Sequence, residues 1–496
     1  MSNNLLAIDQ GTTSTRSLLF NSSGRLLATA QCEFAQSYPQ PGWVEHDPQE
    51  IWRDVLQTAR DVIAKSETPV AAIGIANQRE TTVVWERATG TAVYPAIVWQ
   101  DRRTANLCER LRQDGCEPLI RSRTGLLLDP YFSATKIAWI LDHVPGARAR
   151  AESGKLAFGT IDSFLLWRLT SGKMHATDAT NASRTMLFDI HRLCWDEDLL
   201  QLFHIPKPLL PDVHDNSFMY GMTAPGLFAQ QIPIAGMAGD QHAALIGQAC
   251  FEPGMGKATY GTGCFVLLNT GQDAFSPAKG ILTTLGYHAA GNTAYAVEGS
   301  VFAAGAVIKW LRDQLELFKD VSQTAAMAAE IDNNEGVYLV PAFTGLGAPY
   351  WDPAARGLIC GLTLDSKPAH LVRAGLESGA YQTLDLLRAM PGGGAAPSAL
   401  RVDGGMVTND WFCQFLAGIL GAPVERPALL ESTAQGAAFL AGLTLGIFPD
   451  LSAISAQWKC GARFEPRMAP AERERRIAGW HDAVRRTLAS NKQPVK

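Results

Sequence analysis

The chain reads as an α/β protein of two related halves, and three features of the sequence predict this. A strand–turn–strand unit built round Gly11-Thr12 opens the chain, the same unit returns round Gly261-Thr262, and strands alternate with helices in between. Residues 5–9 form a short apolar run of the buried-strand kind, Gln10-Gly11-Thr12-Thr13 a tight turn, and residues 15–20 the returning strand. Asn21-Ser22-Ser23-Gly24 supplies a hairpin turn before a third strand over 25–30. A helix follows: Asp47 is its cap, Pro48 its first residue and Glu50 a capping-box partner. Trp52, Val55, Leu56, Ala59, Val62 and Ile63 then fall on one apolar face. Residues 70–76 make the next strand, which ends at Asn77-Gln78-Arg79-Glu80.

Past the middle, residues 257–260 lead into Gly261-Thr262-Gly263, a strand over 264–268 and a turn at Asn269-Thr270-Gly271. The join falls within 247–256, which divides the chain into domains of 1–247 and 248–496. Later, residues 400–427 run strand, Asp403-Gly404-Gly405 turn, helix and short strand. Ser432-Thr433-Ala434-Gln435 then caps a helix of small residues (Gly436, Ala437, Ala438, Ala441, Gly442) suited to close packing on a sheet. The tail 491–496 is expected to fray.

Composition narrows the function classes. At 496 residues the chain exceeds what one core supports, and 47% hydrophobic with 18% charged residues is a globular balance that excludes disorder. A net charge of −5 without a Lys/Arg block excludes the basic footprint of nucleic-acid or anionic-membrane binding. The start has no cationic signal-peptide region, and no apolar stretch reaches bilayer length, so neither export nor membrane insertion is expected. The nine cysteines are scattered and never spaced C-x-x-C, a pattern of reduced cytoplasmic thiols with neither a disulfide frame nor a zinc site. Cys264, beside the second glycine turn, reads as a packing thiol.

A nucleotide enzyme needs backbone N–H donors at phosphates, and glycine permits the close approach. No G-x-x-x-x-G-K-[ST] occurs, since Phe251 and Ala258 break the nearest stretch at Gly256-Lys257, and no G-x-G-x-x-G opens a helix after a strand. What remains are the two Gly-Thr hairpins. Their amides, with the hydroxyls of Thr12, Thr13, Ser14 and Thr262 and the charge of Arg16, can wrap a phosphate, and Asp9 at a strand end can hold a metal. The plainer alternative is that these turns only reverse strands. Likewise Arg79, Glu80 and Asp240 with nearby aromatics suit a polyhydroxylated ligand, yet the same residues serve equally as surface and core.

Longer motifs break this tie. Residues 9–16 (Asp-Gln-Gly-Thr-Thr-Ser-Thr-Arg), 41–48 (Pro-Gly-Trp-Val-Glu-His-Asp-Pro) and 77–82 (Asn-Gln-Arg-Glu-Thr-Thr) resemble the FGGY carbohydrate kinase family. So do Gly239-Asp240-Gln241, residues 260–265 and residues 341–353. Residues 131–143 fit the family's first signature, and 357–377 fit its second except that Gly375 stands where a larger residue is usual. The likeness runs essentially the whole length.

That resemblance implies two actin-like domains on ribonuclease-H-like cores, with the active-site cleft between them. It implies ATP-dependent, Mg2+-assisted phosphorylation of glycerol with Asp240 as general base. Arg79, Glu80, Tyr131, Asp240 and Gln241 would bind glycerol hydroxyls, and Trp99 and Phe265 would wall its carbons. Gly11, Thr12, Thr13, Ser14, Arg16, Gly261 and Thr262 would meet phosphates, Asp9 and Asp240 would lie at the magnesium, and Gly305, Gly405 and Asn409 would line the adenosine. Lys309, where many members carry glutamine near adenine, joins these candidates, with a helix-surface lysine as the alternative. His242 reads as a packing or surface residue. Family members are often dimers or tetramers, so a homo-oligomer is expected. Some bacterial members bind fructose 1,6-bisphosphate through a Gly-Gly-x-Arg loop, and the corresponding stretch, 227–231, has neither the glycines nor the arginine. The competing readings are a sibling kinase for xylulose, ribulose or gluconate, and an actin- or chaperone-like ATPase with no small substrate. The Asn77–Glu80 run and Gln241 favour the glycerol branch.

Overall fold

In the computed structural model of the chain, which describes residues 4–275, 280–352, 354–390 and 397–489, each half is built on its own mixed sheet. The tail 491–496 lies outside the described residues. The first half has β1 (Asn4–Gln10), β2 (Ser14–Phe20), β3 (Leu26–Glu33), helix α1 (Pro48–Ile63), β4 (Val70–Asn77), β5 (Gly221–Met222) and β6 (Pro233–Gly239). Their order across the sheet is β5-β6-β4-β1-β2-β3. β1 is buried along its whole length, as an apolar central strand must be, and pairs antiparallel with β2 and parallel with β4. That register sets Asp9 opposite Arg16.

α1 spans the expected residues and buries Ile51, Trp52, Val55, Ala59 and Val62. Its cap differs in detail from the expected box. The Asp47 carboxylate accepts from the Gln49 N–H at 2.8 Å, the short reach of an Asx turn, and no reciprocal Glu50 bond occurs among the described residues.

α2 (Asp240–Gly247) ends the first half at the join, and the second half runs through β7 (Gly256–Tyr260), β8 (Cys264–Gly271), β9 (Leu282–Ala289), β10 (Asn292–Val301) and α3 (Gly305–Asp313). It closes with α4 (Pro368–Ala389), β11 (Leu400–Asp403), α5 (Asp410–Leu420), β12 (Val424–Pro427), α6 (Ser432–Thr444), β13 (Cys460–Phe464) and α7 (Pro470–Ala489). The sheet order is β9-β10-β8-β7-β11-β12-β13. The turn expected at Asn269–Gly271 is instead the end of β8. The pairing with β10 slips one residue between Asn269 and Gly271, and Gly271 takes φ +70°, so the turn-type residues are used as a bulge. Among the described residues no helix is long and apolar enough to cross a membrane.

One feature of the topology decides where the site forms. α6, late in the chain, packs on the first half's sheet over β1, β4 and β6, and crosses α2, which lies between the two sheets. The close packing that its small residues predicted is real, but the sheet is the other half's. A Cβ on Gly74 would stand 2.0 Å from the Ala437 carbonyl oxygen and one on Gly236 2.6 Å from the Ala441 nitrogen. The apolar cluster beneath α6 draws residues from both halves, among them Leu5, Ala72, Ala243, Leu267 and Phe439.

Candidate active site

Where β4 ends, the chain turns sharply. Glu80 takes φ +61°, a conformation rare for a non-glycine residue, and its carbonyl is held by the hydroxyls of Ser133 (3.0 Å) and Thr82 (3.1 Å). This turn aims Arg79 and Glu80 at α2, whose first residue is Asp240. Arg79 Nε stands 3.4 Å from Asp240 Oδ1 and 3.9 Å from Glu80 Oε1. The Gln241 amide donates to the same Asp240 oxygen at 2.7 Å, so the helix N-terminus supports its charge. Unlike its neighbours, the Asp240 side chain is 28% exposed and faces open space. Its partner Arg79 leads on to three half-buried rings in edge-on contact: the guanidinium sits 5.8 Å over Phe265, and Trp99 lies 6.3 Å from Phe265 and 5.5 Å from Tyr131. Phe265 belongs to the second half and the other residues to the first, so the group assembles across the join.

The first hairpin adjoins this group. Trp99 Nε1 donates to Thr12 Oγ1 at 2.9 Å. Gln78 Nε2 donates to Gln10 Oε1 at 3.0 Å and to the Gly11 carbonyl at 3.1 Å, and faces His46 Nδ1 at 3.3 Å. Burial pushes His46 down to about 4, so it is a neutral strut between hairpin and strand end. Within the hairpin the Gly11 amide bonds the Ser14 carbonyl at 2.9 Å, while Thr13 is exposed. Arg16 bonds Asp9 and reaches Glu431 of the second half at 2.6 Å, so its charge is shared between two carboxylates.

The second hairpin leaves Gly261 and Thr262 exposed. Its carbonyls are taken by the start of α3: the Gly305 amide donates to Gly261 O, and those of Ala304 and Ala306 to Thr262 O, each at 3.0 Å. A Cβ at Gly305 would stand 2.5 Å from Gly261 O, which is why glycine is needed there. Gly404, at φ +93°, presses equally close to the Tyr260 carbonyl, and a Cβ on the following Gly405 would meet nothing within 4 Å. Asn409 caps α5 through the Phe412 amide at 3.0 Å and donates to Thr324 at 3.1 Å. The structure therefore gathers Gly261, Thr262, Gly305 and the 404–409 turn around one hairpin. Lys309 is exposed on α3, and His242 is buried. Cys264 is also buried, which pushes its thiol up to about 12.

Three buried charged residues escaped the sequence reading. Glu298 on β10 accepts from Arg79 Nη1 (2.6 Å) and Nη2 (2.9 Å) and from Arg184 Nη2 (3.0 Å). Arg184 Nε bonds Glu80 Oε1 at 2.7 Å. Lys257 on β7 donates to Gln241 Oε1 and, at 2.9 Å, to Thr259 Oγ1. A signal existed for each: a charge inside an apolar strand or among small residues is expensive unless paired. The partners of Glu298 and Arg184, though, lie more than a hundred positions off in sequence.

Burial lifts the Asp240 carboxyl above the ordinary aspartate range, against the pull of Arg79 and Lys257 and with a push from Asp9. Asp9 is likewise lifted by burial, which outweighs Arg16. Burial would also lift Glu298, but Arg184 and Arg79 hold it well below the usual range. Among the described residues no three His, Cys, Asp or Glu side chains gather to enclose a metal. Asp9 adds to the raised proton affinity of Asp240, and one or two carboxylates are the sparse donor set that magnesium uses with water and phosphate oxygens.

Two lobes joined by crossed helices, each lobe with a Gly-Thr hairpin and one of the helices opening on a partly exposed carboxylate, define a sugar-kinase type of enzyme. Residues 4–247 match the N-terminal domain of the FGGY family of carbohydrate kinases and residues 256–445 its C-terminal domain, and the chain belongs to that family. It is similar to a glycerol kinase of Gluconobacter oxydans (strain 621H), 62% identical over 98% of this chain and 95% of that one. It is 59% identical to a glycerol kinase of Ectopseudomonas mendocina (strain ymp), over 98% and 99%. Among solved structures it superimposes on Plasmodium falciparum glycerol kinase with ADP with a TM-score of 0.93, at 36% identity and 98% of both chains. The gluconate kinase of Lactobacillus acidophilus, at 22% identity over 99% of both chains and a TM-score of 0.88, shares the fold.

Proposed function

We propose that the chain transfers the γ-phosphoryl group of ATP to glycerol, giving sn-glycerol 3-phosphate and ADP, with Asp240 as the general base. The observation that carries this reading is the placement of Asp240. It is a partly exposed carboxylate beside Arg79, which itself lies over the Phe265 ring, at the first turn of the helix that lies between the two sheets.

Glycerol presents three hydroxyls on a C–H backbone. Arg79 donates, Glu80 and Asp240 accept, Tyr131 and Gln241 add further polar contacts, and Trp99 and Phe265 cover the carbons, which is the division of labour a small polyol requires. The raised proton affinity of Asp240 suits a base that takes the proton of the attacking hydroxyl. The remaining barrier is met by positioning and by neutralising phosphate charge. Thr12, Thr13 and Ser14 from one lobe and Gly261 and Thr262 from the other would hold the phosphates. Gly305, Gly405 and Asn409 would line the adenosine, with Lys309 at its edge. Asp9 and Asp240 would hold a magnesium ion, which when bound screens the phosphate oxygens. Arg16 leaves the Asp9 oxygens shared in this arrangement, so nucleotide binding has to draw it toward phosphate. The reading places the enzyme in the cytoplasm, where ATP is found, as a homo-oligomer.

A panel of glycerol, xylulose, ribulose, gluconate and no acceptor, assayed for ADP release, tests the proposal. ADP release should depend on glycerol, because a site built to bond each hydroxyl rejects a poor match by about ten-thousandfold. A preference for one of the sugars, or hydrolysis indifferent to every acceptor, would overturn it.

A further inference from the structure

We propose that Glu298 is the positioning residue of the polyol site, a carboxylate of the second lobe that sets the hydrogen-bonding geometry presented by the first. Arg79, Glu80 and Arg184 all precede the join, and Glu298 alone in the group follows it, on β10. The four side chains close a ring of alternating charge. Glu298 takes both Nη atoms of Arg79 and one of Arg184, Arg184 Nε takes Glu80, and Arg79 Nε lies near Glu80 and Asp240. All four ring members are buried.

Geometry makes Glu298 the determinant. A guanidinium bound through both Nη atoms by one carboxylate is fixed in plane and in rotation. Arg79 is so fixed, and its Nε is thereby turned toward Asp240. Without Glu298 the two arginines would face each other with Glu80 and Asp240 as their carboxylates, and Arg79 would be free to swing onto the proposed base. Arg184 meanwhile lies against the rings of Phe132 and Tyr131, its carbon 5.2 and 5.8 Å from their centres, so displacing it also disturbs the aromatic wall. Glu298 itself is placed by the sheet, where it pairs with Leu267 on β8 and with Leu282 on β9. The polyol site is therefore correctly formed only when the two lobes are correctly apposed.

This inference deepens the proposed function and rests on it for the identity of the polyol. The test is steady-state kinetics on the full chain with Glu298→Gln and Glu298→Asp, alone and combined with Arg79→Gln. Activity of the unsubstituted protein on the acceptor panel judges the functional reading. The ratio of variant to unsubstituted protein, on whichever acceptor is used, judges the role of Glu298. Glu298→Gln should raise KM for the polyol about tenfold or more and leave KM for ATP within about twofold, as expected when one charged contact fixing a ligand-binding group is lost. Glu298→Asp, which keeps the charge at shorter reach, should recover part of the loss. In the Arg79→Gln background, removing Glu298 should add little, because it acts through Arg79. If Glu298→Gln does not fold, Glu298→Asp carries the test by the same KM split. An unchanged polyol KM in a folded variant, equal losses for polyol and ATP, or fully additive losses with Arg79→Gln would each overturn the assignment.

Discussion

Gly436 and Ala243 lie so close that a Cβ on Gly436 would stand 1.8 Å from the Ala243 carbonyl oxygen, and Gly247 meets Ser432 in the same way at 1.9 Å. The helix that carries Asp240 is thus pinned, backbone to backbone, by one arriving from far along the chain. Adding even a methyl group forces the two apart. Gly436→Ala should cost about 1–3 kcal/mol of stability, seen as a lower Tm. It should also reduce turnover steeply, since displacing a reacting group by about 1 Å can cost a hundredfold. Gly405→Ala, where the added carbon meets nothing within 4 Å, should leave Tm unchanged and raise only the KM for ATP.

Trp99 serves both sides of the reaction, as a wall of the polyol site and as the donor to Thr12. Trp99→Phe keeps an aromatic wall and removes the hydrogen bond. It should weaken apparent ATP affinity about fivefold, the worth of roughly 1 kcal/mol, with little change for glycerol. Trp99→Ala should raise both KM values. Initial rates with each substrate varied in turn would separate the two effects.

The direction of the Asp240 shift fixes a pH dependence. A base works as carboxylate, so kcat/KM should fall as pH drops through the raised value, placing the acid limb above the ordinary aspartate value of 3.8. The sign for stability is opposite to that of an ion-paired surface acid. The folded chain binds this proton more tightly than the unfolded chain does, so the contribution of Asp240 to folding is lost as pH rises past its folded value. Asp240→Asn should therefore melt above the unsubstituted protein near neutral pH, and the gap should close on acidification. Thermal melts across the acid range check both the sign and the window.

The stretch 227–231 is tied to its own lobe. The Leu227 carbonyl accepts from Arg60 Nε at 3.1 Å, and Gln231 donates to the Thr223 carbonyl at 2.9 Å. Lacking arginine and glycine, it offers no phosphate cradle. Saturating fructose 1,6-bisphosphate should leave the rate unchanged, and inhibition at micromolar concentration would contradict this.

What was legible in the sequence was local. The hairpin at Gly11, the helix after Asp47 and the small-residue helix from Ser432 follow from turn chemistry, capping and spacing, which act over a few residues. Arg79, Glu80 and Asp240 were found through motifs, and the fold does bring them together. Glu298 and Arg184 were not found, because a buried charge betrays itself only through its partner. Here the partners lie more than a hundred positions away. For the same reason α6 was expected to pack on a sheet but not on the other half's: small residues permit close approach without naming what approaches.

Phosphoryl transfer here depends on one carboxylate acting as base at the helix between the two lobes. Asp240→Asn, which keeps shape and removes charge, should still bind glycerol measurably by calorimetry. In a single-turnover assay with ATP it should form glycerol phosphate about a hundred- to ten-thousandfold more slowly. Phosphoryl transfer at the unsubstituted rate by this variant would contradict the account.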